Sequence, residues 1–243
     1  MNTNEFTHKQ SRIIAIGDIH GHSLALRGLL KLIQPAIGDE FVFLGDLIDR
    51  GPDSAGVIDR AMALSKEFPT TFIMGNHEEL VLAAMTCKSE FNFWLKHGGI
   101  QTLRSWRLNS SAVTYDTLLY EAPGEHLKFI SKMVNYYETE KFIFVHAGYF
   151  PYCDMSKQNA GELRWMCLPD DLGPHCSGKT VICGHNRQKC ILDRGHIVCI
   201  DLGCGLKKQT DWPNLLTAID VHTNQMWTVN EHGQDGSIFL LRS

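Results

Sequence analysis

Five short apolar runs in this chain each stop at a turn that carries Asp, Asn or His. Arg12–Ile16 leads into Gly17-Asp18-Ile19-His20, and Glu40–Leu44 into Gly45-Asp46-Leu47-Ile48-Asp49-Arg50-Gly51. Thr71–Met74 leads into Gly75-Asn76-His77-Glu78, Phe142–Val145 into His146-Ala147-Gly148, and Thr180–Cys183 into Gly184-His185. Apolar runs this short, bounded by glycine, read as buried strands. Strands whose polar residues all gather at one end build one shared site. The pattern therefore fixes both an α/β fold class and the edge of the sheet where chemistry belongs.

Between these strands the early chain alternates with helical periodicity. Ser23–Ile33 places Leu24, Leu29, Leu30 and Ile33 on roughly one face, with Ser23 as the expected N-cap. Asp53 or Ser54 caps a second helix carrying Val57, Ile58, Met62 and Leu64, and a third is expected near Glu78–Met85. From about Cys87 to Glu140 the pattern reads as mostly helical packing, with Phe91, Phe93 and Trp94 expected in the core. Later strands are expected at His196–Ile200 and Leu215–Val221, and Tyr149–Lys179 as a substrate-facing loop. No linker of low complexity divides the 243 residues. Residues 1–10 read as a tail and 11–243 as a single domain with a helical segment around 87–140.

Composition narrows the class of partner. Hydrophobic residues at 44% supply a core, and a net charge of -4 gives no broad basic field, which argues against duplex nucleic acid. The eight cysteines form no C-x-x-C pair, so buried or incidental thiols are expected rather than a zinc ribbon or disulfides. Met1–Gln10 is polar, without the apolar run of a signal peptide. No stretch approaches the ~18 apolar residues that span a bilayer. A reduced cytoplasm without membrane attachment is the expected setting.

The turn residues suit divalent cations. Asp18 and His20, two positions apart in extended chain, can meet one ion, and Asp46 has two oxygens with which to bridge a pair. Asn76, His146 and His185 supply neutral donors for the second ion. Two such ions ~3.5–4 Å apart hold an attacking hydroxide and phosphoryl oxygens together for in-line displacement. A lone Asp after a strand is ordinarily a turn former, and a lone His ordinarily packs or meets solvent. Five such motifs after similar strands are not explained that way.

The sequences GDIHG (Gly17–Gly21), GDLIDRG (Gly45–Gly51), GNHE (Gly75–Glu78), HAG (His146–Gly148) and GH (Gly184–His185) resemble the phosphoprotein phosphatase family of calcineurin-like metallophosphoesterases. The likeness runs from about Arg12 to Val221 and points to the bacterial serine/threonine phosphatase or diadenosine tetraphosphatase-like branch. It implies a four-layer αββα sandwich with two mixed sheets. It also implies Asp18, His20 and Asp46 on one metal, and Asp46, Asn76, His146 and His185 on the other.

By the same resemblance, His77 protonates the leaving group, Asp49 orients His77, and Arg50 and Arg164 grip phosphate. Manganese is the expected metal, with iron and zinc as alternatives. Arg104, after His97-Gly98-Gly99, is a further candidate at the site entrance. Relatives often carry Thr-Pro after the last histidine, where this chain has Asn186-Arg187, so the substrate rim departs from the pattern.

The resemblance implies hydrolysis of phosphoserine or phosphothreonine in proteins. Two alternatives compete: cleavage of dinucleoside polyphosphates or RNA 5′ ends, and a non-catalytic module that binds phosphorylated partners. Symmetrical tetraphosphatases usually lack an aspartate like Asp49, which favours the protein phosphatase. The full set of candidate ligands argues against the non-catalytic module.

Overall fold

The computed structural model describes residues 11–108, 114–205 and 212–242. The expected tail, residues 1–10, lies outside them. The chain opens with three strand–helix units: β1 (Ile13–Ile16), α1 (Ser23–Ile33), β2 (Glu40–Phe43), α2 (Ser54–Glu67), β3 (Thr70–Phe72) and α3 (Asn76–Ala84). Short helices follow as α4 (Lys88–Trp94), α5 (Ile100–Ser105), α6 (Tyr115–Glu121) and α7 (Gly124–Ile130), with a π-helical turn at Leu95–Gly99. The second half holds β4 (Tyr136–Glu138), β5 (Phe142–Val145), α8 (Ala160–Trp165), β6 (Thr180–Cys183), β7 (Leu192–Asp193) and β8 (Ile197–Cys199). It closes with β9 (Leu215–Asp220), β10 (Gln225–Asn230) and β11 (Ser237–Leu240).

These strands form two mixed sheets, in the orders β11-β10-β9-β1-β2-β3 and β4-β5-β6-β8-β7. The parallel strands β1, β2 and β3 of the first sheet and β5, β6 and β8 of the second carry the polar turns. Side chains alternate across each strand, so both faces need cover. Ala15, Val42 and Leu44 point inward to meet Phe144, Ile182 and Val198 of the other sheet. Ile14, Ile16, Phe41 and Phe43 point outward onto Leu26, Leu29, Val57 and Ile58 of α1 and α2. On the far side, Ile143, Val145, Val181 and Ile197 pack beneath Tyr149, Met155, Leu163 and Leu172. The expected αββα sandwich is the architecture found.

Several local expectations are corrected. Leu24 is 47% exposed, and α1 instead buries Ala25, Leu26, Leu29 and Ile33. His22, not Ser23, occupies the N-cap; the Ser23 hydroxyl donates to Asp53 instead. Asp53 does cap α2, accepting from Gly56 N–H at 3.0 Å. Phe91 and Trp94 are buried, but Phe93 is 44% exposed because one turn of α4 cannot aim all three rings inward. Tyr149–Lys179 is less a free loop than the outer cover of the second sheet, through α8 and its flanks. The expected strands at 196–200 and 215–221 shorten to β8 and β9, and β4, β7, β10 and β11 were not anticipated.

The helical segment is tied to α2 by a buried relay. Trp106 Nε1–H donates to His126 Nδ1 at 3.0 Å. The His126 proton therefore sits on Nε2 and donates to Asp59 Oδ1 at 3.0 Å. His126→Phe leaves the Trp106 N–H without an acceptor and should cost about 1–3 kcal/mol in urea unfolding. Asp59→Asn alters only the exposed end of the relay and should cost less than about 1 kcal/mol. Equal losses in the two variants would show that the buried bond is not what holds α7.

Candidate active site

All of the predicted turns meet at one end of the two sheets, and their backbone is unusual. His20, Asp46, Asp49, Arg50 and His185 have φ of 46, 52, 71, 65 and 58°. Non-glycine residues rarely adopt this left-handed region, and each costs of order 1–3 kcal/mol unless its surroundings enforce it. Here the enforcement is hydrogen bonding. The Asp46 carbonyl accepts from Ile19 N–H and His20 N–H at 3.0 and 2.9 Å, binding the first two turns together. The Glu78 carboxylate accepts from Asp46 N–H (2.8 Å), Leu47 N–H (2.8 Å) and Gly75 N–H (3.0 Å).

Asp46 stands at the centre. Its Oδ1 accepts from His77 N–H in the first turn of α3 at 3.1 Å and lies 3.4 Å from His146 Nε2. Its Oδ2 lies 3.5 Å from His20 Nε2 and 3.9 Å from His77 Nε2. Two donor groups share it: His20, Asp46 and His77, and Asp46, His146 and His185, the donor atoms of each within 4.8 Å of one another. Asn76 Oδ1 is 3.0 Å from both His146 Nε2 and His185 Nδ1. Asp18 turns both oxygens to His185 N–H, at 3.1 and 3.2 Å. A Cβ on Gly184 would stand 2.1 Å from Asp18 Oδ1, so only glycine permits that approach. Asp18 belongs to neither group at that spacing, and His77 stands in the first.

The ring tautomers point the same way. His146 Nδ1–H donates to Leu44 O at 2.7 Å, and burial lowers the pKa of this imidazole, so Nε2 carries a bare lone pair. That lone pair faces the Asp46 carboxylate, an acceptor against an acceptor, whichever way the Asn76 amide is turned. His20 Nδ1–H donates to Ile48 O at 3.1 Å, leaving its Nε2 bare as well, and burial with the nearby Arg50 charge pushes its pKa well down. Burial and His146 lower His185 to about 4. Imidazole nitrogens ringed around a shared carboxylate, the His146 lone pair facing it with no proton between, fit divalent cations.

Charge balance agrees. Burial alone would raise Asp46, but His146, His77, His20 and Arg50 hold it below the usual carboxylate range. Asp18 is raised well above that range by burial and by Asp201 and Asp46. Burial pushes Asp201 up to about 6, and burial with Asp46 pushes Glu78 up to about 7. The site thus gathers several desolvated carboxylates whose mutual repulsion only positive charge relieves.

His77 sits apart in kind. Its Nδ1–H donates to Asp49 Oδ2 at 2.7 Å, and the same oxygen accepts from Trp94 Nε1–H at 2.9 Å. Thr102 Oγ1 donates to Asp49 Oδ1 at 2.6 Å. Burial opposes charging of His77, yet Asp46 and the Asp49 bond outweigh it and raise its pKa. Arg50 reaches across, donating to His20 Nε2 (2.6 Å) and His77 Nε2 (2.8 Å). Its own N–H donates to Gly98 O at 3.3 Å, and Gly98, at φ 112°, has no room for a Cβ beside Arg50.

Arg164 is not brought into this cluster. Its guanidinium donates to Glu79 Oε1 at 2.5 Å and to Asn135 Oδ1. Arg104 is exposed on α5, and His97 Nδ1–H donates to Phe93 O at 2.8 Å. Asp201, which ends a sixth apolar run and so carries the same signal as the others, joins the buried carboxylates of the site. Sequence reasoning missed Trp94 and Thr102 as supports of Asp49, for which no local signal exists. Glu78 is fully buried among backbone amides.

A sequence profile described as calcineurin-like phosphoesterase matches residues 11–186. The chain belongs to that family. Over 85 residues it is 41% identical to serine/threonine-protein phosphatase 1 of Salmonella typhimurium, covering 35% of this chain and 37% of that protein. It is 26% identical over 253 residues to a symmetrical bis(5′-nucleosyl)-tetraphosphatase of Methylococcus capsulatus, covering 79% of this chain and 87% of the relative. The crystal structure of a putative diadenosine tetraphosphatase shares the fold, with a TM-score of 0.64 at 20% identity over 91% of this chain and 94% of that one. The family uses divalent metals, and its members are hydrolases. Among the described residues, no helix is long and apolar enough to cross a membrane.

Glu78→Gln sets an amide N–H₂ against backbone donors that now share a carboxylate. It should lower unfolding free energy by about 1–3 kcal/mol in denaturant titration. Glu79→Gln, one residue on and facing Arg164, should cost less; a larger loss there would refute the role given to Glu78.

Proposed function

We propose that the chain is a divalent-metal-dependent phosphatase acting on phosphoserine and phosphothreonine in proteins, in the cytoplasm. The observation that carries this reading is the His77–Asp49 pair, with His77 Nε2 within 3.9 Å of Asp46 Oδ2. An alkoxide leaving group is costly to expel, and an imidazole oriented by a buried carboxylate is the group to protonate it. Cleavage of a phosphoanhydride needs such an acid less, because phosphate leaves more readily than an alkoxide.

Asp18, His20 and Asp46 would hold one ion, and Asp46, Asn76, His146 and His185 the other. Their mixed oxygen and nitrogen donors suit manganese, with iron and zinc as alternatives. When bound, such ions supply Lewis acidity toward water and phosphoryl oxygens. The remaining work falls to the chain. Arg50 would present its planar fork to two phosphoryl oxygens and help hold the ester in line. With Arg50 turned from His77 onto phosphate, His77 would take up a proton at Nε2 and deliver it to the departing serine or threonine oxygen. Asp49, fixed by Trp94 and Thr102, would keep His77 in the tautomer that allows this and stabilise its charged form. Arg164 would reach phosphate only by giving up Glu79, so its part is secondary.

A second reading is supported by the length of the match to the tetraphosphatase of Methylococcus capsulatus: hydrolysis of dinucleoside polyphosphates at the same centre. Product analysis separates the two. With manganese, a phosphoserine peptide should release orthophosphate at a higher kcat/KM than diadenosine tetraphosphate is cleaved; the reverse order would replace the first reading with the second. Chelation by EDTA should abolish p-nitrophenyl phosphate hydrolysis, and manganese should restore it. His77→Ala should lower kcat on a phosphopeptide at least about tenfold with little change in KM. A smaller loss in an otherwise active enzyme would end the general-acid assignment.

A further inference from the structure

The loop after His185 is pinned on both sides of one residue. Asn186 Nδ2 donates to Ala147 O (3.1 Å) and Met166 O (3.0 Å), while its Oδ1 accepts from Leu168 N–H (2.9 Å). Gln188 N–H donates to Asp201 O at 2.8 Å, and its side-chain amide donates back to Asn186 O at 2.7 Å. Between these anchors stands Arg187. Its guanidinium carbon lies 4.2 Å from the centroid of the Trp212 ring, and the Lys189 ammonium lies 5.7 Å from the same ring.

Arg12, Arg164, Arg194 and Arg242 each grip a carboxylate. Arg187 has no carboxylate partner among the described residues. Stacking on an indole orients a guanidinium plane without consuming its N–H donors, so the fork remains available. Burial raises Asp201; the Gly203 N–H and Arg50 draw it back, and Arg187 adds a smaller share. Two residues of chain place the Arg187 Cα within ~7 Å of that of His185. Beside the site, then, stands a guanidinium held over an indole and, among the described residues, paired with no carboxylate.

We propose that Arg187, held over Trp212, is a specificity-determining residue that receives an acidic side chain two or three positions from the phosphorylated residue of a peptide. The inference rests on the protein phosphatase reading above and names its preferred substrates. A carboxylate matches the fork in two parallel hydrogen bonds. A nucleobase is disfavoured, because the guanidinium already covers an indole face on which a base would stack.

The test compares phosphoserine peptides with neutral flanks, with Asp on the N-terminal side and with Asp on the C-terminal side. Each is measured with the manganese-loaded wild type, R187Q and W212L. For one acidic peptide the wild-type kcat/KM should exceed the neutral peptide by about fivefold, through KM, as expected for one partly exposed charge pair. In R187Q that ratio should fall to about one, and W212L should lower it as well. A wild type without preference, or a preference that survives R187Q, overturns the proposal. So does an effect of R187Q confined to diadenosine tetraphosphate. Fluorescence anisotropy of the same labelled peptides gives the ratio without turnover. If no peptide is hydrolysed, the protein phosphatase reading fails by itself, and a fivefold binding preference lost in R187Q still decides for or against Arg187.

Discussion

One carboxylate organises the catalytic end of this molecule without facing substrate. Glu78 accepts backbone N–H bonds from the turn after β2 and from the turn that opens α3. That contact sets the left-handed backbone of Asp46, and through it the aim of both carboxylate oxygens into their two donor groups. Strained φ values at five site residues persist because the surrounding hydrogen bonds over-determine them. A stable sandwich of two sheets supplies the leverage. The cost in local strain is offset by a core that covers both faces of each sheet.

The histidines divide by what their second nitrogen does. His20 and His146 give a proton to backbone carbonyls of neighbouring turns, so their inward nitrogens carry lone pairs, that of His20 meeting an Arg50 N–H. His77 gives its proton to Asp49 instead, and the carboxylate favours the charged ring. The partner behind each ring thus decides whether the same residue type leans neutral or charged. Arg50, touching both kinds, sits at the boundary between the two tasks.

The sequence spoke clearly about everything that repeats. Short apolar runs ending in Asp, Asn or His announced the parallel strands, their shared edge and the convergence of Asp46, Asn76, His146 and His185. It spoke poorly about what depends on distant partners. Nothing near Trp94 or Thr102 says that they would hold Asp49, because the π-helical turn at Leu95–Gly99 redirects the chain between them. Arg164 carried the right residue type, but its fork is occupied by Glu79 and Asn135, a choice made by packing rather than by local pattern. The hairpin of β9 and β10 turns at Asn224, φ 60°, and a reading that stopped at Val221 could not see it.

The bond from Trp94 to Asp49 has an optical side. The indole N–H and the imidazole of His77 share a single oxygen, Asp49 Oδ2, at 2.9 and 2.7 Å. A chromophore wired so closely to an ionising ring will change its emission as that ring gains or loses charge. Trp106, with its ring 6.4 Å away, will share the excitation. The indole of Trp94 thus ties its emission to the charge of the His77 ring, readable without any label.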